Sequence, residues 1–272
     1  MLWNAKNGSV SLDGGAMPYV SFGRGPRSFV ILPGLSDGLA TVAGKALLLA
    51  PPYKAFFDRY TVYMFSRREA LPRGFTIRDM AEDQAAALRA LGIGKAAVMG
   101  VSQGGMIAQL LAAEHPELVE KLVLAMTAPG GSPMIRTAVE RWMGFAERGD
   151  HRGLMIDTAE LSYSPARLKK YRRLYPLLGI VGRPKSYDRF LANAEAILSF
   201  GASPDLGRIA CPTLILAGEE DRIVGVGASR ELHARIGNSS LFVYPGLGHA
   251  AYEEAPDFND RVLRFLDGEN AG

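Results

Sequence analysis

Six short apolar runs, at residues 29–32, 61–65, 95–99, 122–126, 213–217 and 241–244, constrain this chain more than any other feature. Each is too short for a typical helix and fits a strand buried on both faces. Helical stretches separate most of them, at about 77–91, 105–114, 227–236 and 256–266. The first of these opens with Thr76 as an N-cap and Asp79 three residues on. This alternation predicts a mostly parallel central sheet flanked by helices, with right-handed crossovers that set the loops following the strands along one edge. Ligands of open α/β sheets bind at that edge. Two alternating segments, 9–12 and 16–22, joined at Asp13-Gly14-Gly15, read as an opening hairpin.

The third run leads into Gly100-Val101-Ser102-Gln103-Gly104 and then into a helix. A strand that turns this sharply into a helix strains the residue at its apex and brings neighbouring backbone close, so small residues are needed two positions to either side. The Ser102 hydroxyl is then held above the sheet edge, beside helix N–H groups that can stabilise an oxyanion. Gly-x-Ser-x-Gly arises by chance roughly 0.2 times in a chain of this composition. The setting therefore carries the weight, and a Gly-rich turn closing a βα unit is the structural alternative.

Serine needs a base to take its proton, and histidine usually serves. There are four candidates. His115 falls at the end of the helix after Ser102, about three turns away. His151, beside Gly149-Asp150, and His233, in a charged helix, read as exposed. His249 follows the last strand in Tyr244-Pro245-Gly246-Leu247-Gly248-His249, at the same edge as Ser102. The third member must hold the imidazole in the right tautomer. Asp221 follows the preceding strand at that edge in Gly218-Glu219-Glu220-Asp221; Glu219 and Glu220 are its rivals, and Asp221 is better placed to turn back over the sheet.

The resulting order, Ser, Asp, His, is that of the α/β-hydrolase triad. Over nearly its whole length the chain resembles the α/β-hydrolase superfamily. The matching stretches are Leu32-Pro33-Gly34-Leu35, Gly100 to Gly105, His115-Pro116-Glu117 with Leu122-Val123-Leu124, Cys211 to Gly218 with Asp221, and Gly248-His249. The resemblance implies an α/β-hydrolase core at 1–129 and 205–272, Ser102, Asp221 and His249 as catalytic residues, and an oxyanion hole made by the backbone N–H groups of Leu35 and Gln103. It implies no cofactor and no metal. Pro33 departs from the family pattern, in which a His usually precedes the loop glycine, and this bears on the loop's detailed shape.

Residues 130–204 interrupt the alternation with helical patterns at about 135–148, 166–178 and 186–200 and no strand signal, so an inserted helical lid over the loop edge is expected. It holds 12 Lys/Arg against 7 Asp/Glu over residues 131–203, which marks either a solvated basic face or a preference for anionic substrates. Its aromatics Trp142, Phe145, Tyr163, Tyr171, Tyr175 and Tyr187, with Phe200, read as core before pocket lining.

Composition narrows the rest. A net charge of +3, without a basic stripe interleaved with aromatics, argues against nucleic acid. One cysteine, Cys211, rules out an intramolecular disulfide and reads as packed. No uninterrupted apolar stretch of about 18 residues suggests a membrane span, and the N-terminus lacks a signal-peptide pattern, so a cytoplasmic protein acting on a small-molecule substrate is expected. Oligomeric state is not legible. The expected reaction is hydrolysis of an ester, thioester or lactone through an acyl-enzyme. Perhydrolase (haloperoxidase-like) and carbon–carbon bond hydrolysis share the same triad, and a non-catalytic ligand receptor on this scaffold is the alternative from another class.

Overall fold

The computed structural model describes residues 2–180, 182–202 and 205–269. The chain runs β1 (Lys6–Leu12), β2 (Gly15–Gly23), β3 (Arg27–Leu32), α1 (Ala46–Leu49), β4 (Tyr60–Phe65), α2 (Ile77–Ala90), β5 (Ala96–Val101), α3 (Gln103–Glu114) and β6 (Val119–Ala125). It continues with α4 (Pro133–Glu147), α5 (His151–Ser162), α6 (Pro165–Tyr171), α7 (Asp188–Leu198), β7 (Thr213–Gly218), α8 (Val226–Arg235), β8 (Ser239–Tyr244), α9 (Ala251–Glu254) and α10 (Phe258–Asp267). All six expected strands and the opening hairpin form.

The eight strands make one sheet in the order β1-β2-β4-β3-β5-β6-β7-β8. β1, β2 and β4 pair antiparallel in succession, and every remaining neighbouring pair is parallel. β5 and β7 are buried at every position, as strands covered on both faces must be. One core packs α2, α3 and α8 on one face of the sheet, through residues such as Leu88, Leu111 and Leu232. A second packs the 46–56 segment and α10 on the other face, through Phe56, Phe258 and Val262. The N-terminus of α2 is closed by the expected capping box, with Thr76 Oγ1 accepting from Asp79 N and the Asp79 carboxylate accepting from Thr76 N. Among the described residues, no helix is long and apolar enough to cross a membrane.

Among the described residues between β6 and β7 there are four α-helices rather than the three expected. The segment is closed at its base by an antiparallel bridge between Gly130 and Gly201. Its expected end at 204 lies outside the described residues. α5 was not foreseen, and the helix expected at 166–178 stops at Tyr171, followed by a 3-10 turn at Arg172–Leu174. His151, expected on the surface, is buried at the start of α5, with its ring 6.2 Å from that of Tyr187. This corrects the surface reading: a Gly-Asp pair suggested an exposed loop, but Asp150 accepts from Gly153 N as the N-cap of a helix that turns the imidazole inward.

The turn from β5 into α3 depends on close backbone approach. A Cβ on Gly104 would lie 1.9 Å from the Leu32 carbonyl oxygen, and one on Gly100 would lie 2.3 Å from the Gly104 carbonyl oxygen. Both obstacles are backbone, which cannot swing aside. Gly104→Ala is therefore expected to cost about 3 kcal/mol or more, at or beyond the upper end for overpacking, read as a lowered urea midpoint with an unchanged slope.

Candidate active site

Ser102 stands at the apex of that turn with φ 54° and ψ −120°, a conformation that non-glycine residues rarely adopt. Neighbouring hydrogen bonds hold it there. Ser102 N donates to Ala125 O (2.9 Å), and Thr127 Oγ1 donates to Ser102 O (2.7 Å), fastening the apex to the end of β6. Gln103 is the first residue of α3, where backbone N–H groups have no partner within the helix. The loop after β3 lies directly against the serine: a Cβ on Gly34 would sit 3.3 Å from Ser102 Cβ and 3.8 Å from its Oγ. Leu35, which follows, lines the same cavity as Ser102. Pro33 does not displace this loop from the serine.

His249 and Asp221 meet across the ends of β7 and β8. His249 Nδ1 lies 2.8 Å from Asp221 Oδ2, while Asp221 Oδ1 accepts from the amides of Ile223 (2.8 Å) and Val224 (3.0 Å). Burial pushes the Asp221 carboxyl up; His249 and the two amide donors outweigh it and hold the group below its ordinary value. A depressed carboxylate contributes stability above its unfolded value of about 3.9, and that contribution is lost as pH falls through the lower folded value. Asp221 thus stays ionised across the neutral range. Glu219 and Glu220, its rivals, are exposed, and Glu219 is occupied in accepting from Gly246 N. His115 caps α3 with Nε2 2.9 Å from Glu82 Oε1, and His233 is exposed beside Ser239. Neither belongs to the site.

Ser102 and His249 open into one cavity of about 150 Å³. Its far wall comes from the inserted helices: Trp142 on α4, Leu154, Met155, Thr158 and Ser162 on α5, and Phe190 on α7. Of the aromatics singled out in the sequence, only Trp142 reaches this cavity; Tyr163 and Tyr175 instead pack against Tyr171, one ring tilted and the other edge-on. Among the described residues, Ser102 Oγ makes no hydrogen bond to the His249 ring. Serine–histidine contacts are often long in the free enzyme and tighten when substrate arrives. No cluster of His, Cys, Asp and Glu among the described residues has metal-binding geometry. Cys211 packs as expected, and burial pushes its thiol up, away from reactivity.

A buried ionic cluster behind the loop went unread in the sequence. Asp37 Oδ2 accepts from Arg67 N (3.0 Å) and from Arg189 Nη2 (2.6 Å), and lies 3.5 Å from Arg67 Nη1. Arg67 in turn donates to Gly34 O (3.2 Å) and to Gln103 Oε1 (2.9 Å), and Gln103 Nε2 donates to Asn193 O (2.9 Å) on α7. Burial pulls the Arg67 guanidinium down to about 10, Asp37 opposes this, and Arg189 adds to it. One carboxylate therefore holds two guanidinium groups, the loop after β3 and the inserted segment together. Asp37→Asn would leave the two cations facing each other with no anion between them. It should cost about 3–5 kcal/mol, measurable by urea unfolding.

Comparison with known proteins agrees with this architecture. The profile of the alpha/beta hydrolase fold family matches residues 28–256. A RutD protein of Caulobacter sp. (strain K31), named as a candidate carbamate hydrolase, is 32% identical over 251 residues, covering 87% of this chain and 91% of its own. A 2-hydroxy-6-oxononadienedioate/2-hydroxy-6-oxononatrienedioate hydrolase of Klebsiella pneumoniae is 32% identical over 65% of this chain and 64% of its own. The crystal structure of an enol-lactonase from Burkholderia xenovorans LB400 superposes with a TM-score of 0.80 at 22% identity, covering 96% of this chain and all of that one. With its sheet order, its strained serine turn and a family match spanning most of its length, the chain belongs to the alpha/beta hydrolase fold family.

Proposed function

We propose that this hydrolase cleaves an ester-type bond (ester, thioester or lactone) of a small uncharged molecule through an acyl-enzyme on Ser102. Ser102 Oγ attacks the carbonyl carbon while His249 Nε2 takes its proton, and Asp221 orients and stabilises the imidazolium. The N–H groups of Leu35 and Gln103 hold the oxyanion, and the insertion at 130–204 acts as a lid that excludes water. Collapse of the tetrahedral species expels the alcohol or thiol, which receives the proton from His249. Water, deprotonated by the same imidazole, then releases the acid.

The observation that carries this reading is the convergence on one cavity of a serine in strained backbone geometry and an imidazole whose other nitrogen is held by a buried carboxylate. Charge narrows the substrate. Among the described residues lining the cavity there is no Lys or Arg. Several basic residues of the insertion pair with its own carboxylates on the surface, as in Arg136–Glu140, Arg141–Asp157 and Arg172–Glu160, and Arg189 turns under the loop. A dianionic substrate, such as the one named for the Klebsiella relative, finds no cation to meet it. A carbamate carbonyl presents the same electrophile in neutral form, and the likeness to RutD makes carbamates the second class to assay.

Ser102→Ala should lower turnover of p-nitrophenyl acetate by roughly 10⁴-fold or more, with an unchanged far-UV circular dichroism spectrum. A fluorophosphonate should add one adduct to the wild type, seen by intact mass, and none to this variant; a ligand receptor without an activated serine would not be labelled at all. Asp221→Asn should cost roughly 10³–10⁴-fold in kcat through loss of the correct tautomer. Retention of activity in either variant would refute the assignment.

A further inference from the structure

A second cavity, larger than the one that contains Ser102, lies beside it. It measures about 560 Å³ and is walled by Ile31, Met64 and Met99 from β3, β4 and β5, with Leu48, Tyr53 and Phe258 opposite. Ile31, Met64, Met99 and Phe258 belong to the core on the sheet face away from α2 and α3, so this chamber runs down the other side of the sheet. It shares Gly34, Ser36, Val101 and Tyr252 with the Ser102 cavity, and Tyr252 forms part of the wall of both.

Size and chemistry say what such a chamber holds. The space at Ser102, about 150 Å³, falls below the range of about 300–1,000 Å³ typical of small-molecule sites. The neighbouring chamber falls within that range. Its walls are mainly aliphatic, thioether and aromatic. The charged group among the described lining residues is Glu253, already accepting from Tyr163 Oη (2.6 Å). A lone carboxylate repels an anionic tail, and no Lys or Arg stands in the wall to attract one. Leu48, 74% exposed, marks an apolar mouth on the surface beside Leu47. Tyr252, 37% exposed, lines both cavities.

We propose that this chamber is a second subsite that takes the uncharged apolar chain of a substrate whose carbonyl sits at Ser102. The assignment rests on the ester-type reading above and deepens it: the substrate class becomes esters with an extended aliphatic or aromatic half. Burial of the chain supplies binding that the small space at the serine cannot. Acyl and alcohol halves offer the same chemistry here, and two substrate series separate them.

The test uses the purified full chain with p-nitrophenyl esters of acyl length C2 to C10, and with acetate esters of C2 to C10 alcohols followed by a pH indicator. kcat/KM should rise at least tenfold from C2 to C8 in one series, and that series identifies the half that enters. Met99→Trp, which fills the chamber, should lower the C8:C2 ratio of kcat/KM in that series at least tenfold. Leu48→Glu, at an exposed rim position where folding is not at stake, should lower the same ratio severalfold. Flat or falling profiles in both series would overturn the proposal, as would wild-type ratios in L48E and in a folded M99W. Absence of all ester turnover together with absence of fluorophosphonate labelling is a different result: it removes the ester-hydrolase reading itself, and this subsite with it.

Discussion

The carbonyl oxygen of Leu32 decides how closely α3 can approach β3, and the site depends on that approach. Gly104 brings its Cα against this oxygen, Gly100 lets the turn fold back on Gly104, and the residue between them is forced to positive φ. A serine at that apex cannot lie down along the strand or into the helix, so its hydroxyl projects above the edge of the sheet. The same closeness sets Gly34 against Ser102 and carries Leu35 into the cavity wall. One backbone contact thus fixes the proposed nucleophile and both proposed oxyanion donors relative to one another. Such donors stabilise charge only to the extent that they need not reorganise during the reaction.

The inserted helices are fastened to both sides of this arrangement. Toward the loop after β3, Arg189 and the Asn193 carbonyl hold Asp37 and Gln103. Toward the histidine, the Ser162 carbonyl accepts from Ala250 N, a Cβ on Gly248 would lie 2.6 Å from that same oxygen, and Tyr163 and Ser164 bond Glu253 and Glu254 on α9. Arg222, next to Asp221, donates to the Glu160 carbonyl. The segment therefore does two jobs at once. It walls the cavity and braces the two loops that carry the proposed reacting groups.

Much of this was legible in the sequence because it rests on short-range signals. Six strands announced themselves as runs of apolar residues and the first two as alternating segments, the capping box at Thr76 is a local pattern, and His249 stood out by position among four histidines. Asp221 was separable from Glu220 only by reach, and the structure supplies the reason: its carboxylate is buried and bonded to the amides two and three residues on, whereas Glu220 faces solvent. α5 gave no helical signal because its inward face lines a cavity rather than a core, so Thr158 and Ser162 stand where apolar residues would be looked for. The Asp37–Arg67–Arg189 cluster was invisible for a related reason. Three charges separated by up to 152 residues read individually as surface, and only tertiary pairing makes their burial tolerable.

That pairing also bears on the proposed substrate. The insertion's excess of Lys and Arg suggested attraction of an anion, but the arginine that turns inward, Arg189, is held by Asp37 beneath the loop and does not line the cavity. The field of exposed charges is screened over about 10 Å at moderate salt, so those on the outer surface of the insertion act weakly on the cavity. On the proposed reading, recognition is left to apolar walls and to shape. Walls of that kind discriminate by only about 1–3 kcal/mol per methylene, too little to select one compound sharply from its homologues. On the proposed reading, a hydrolase built this way gains selectivity chiefly from length and charge exclusion, through Trp142 and Phe190 over the serine and Met99, Tyr252 and Glu253 beyond it.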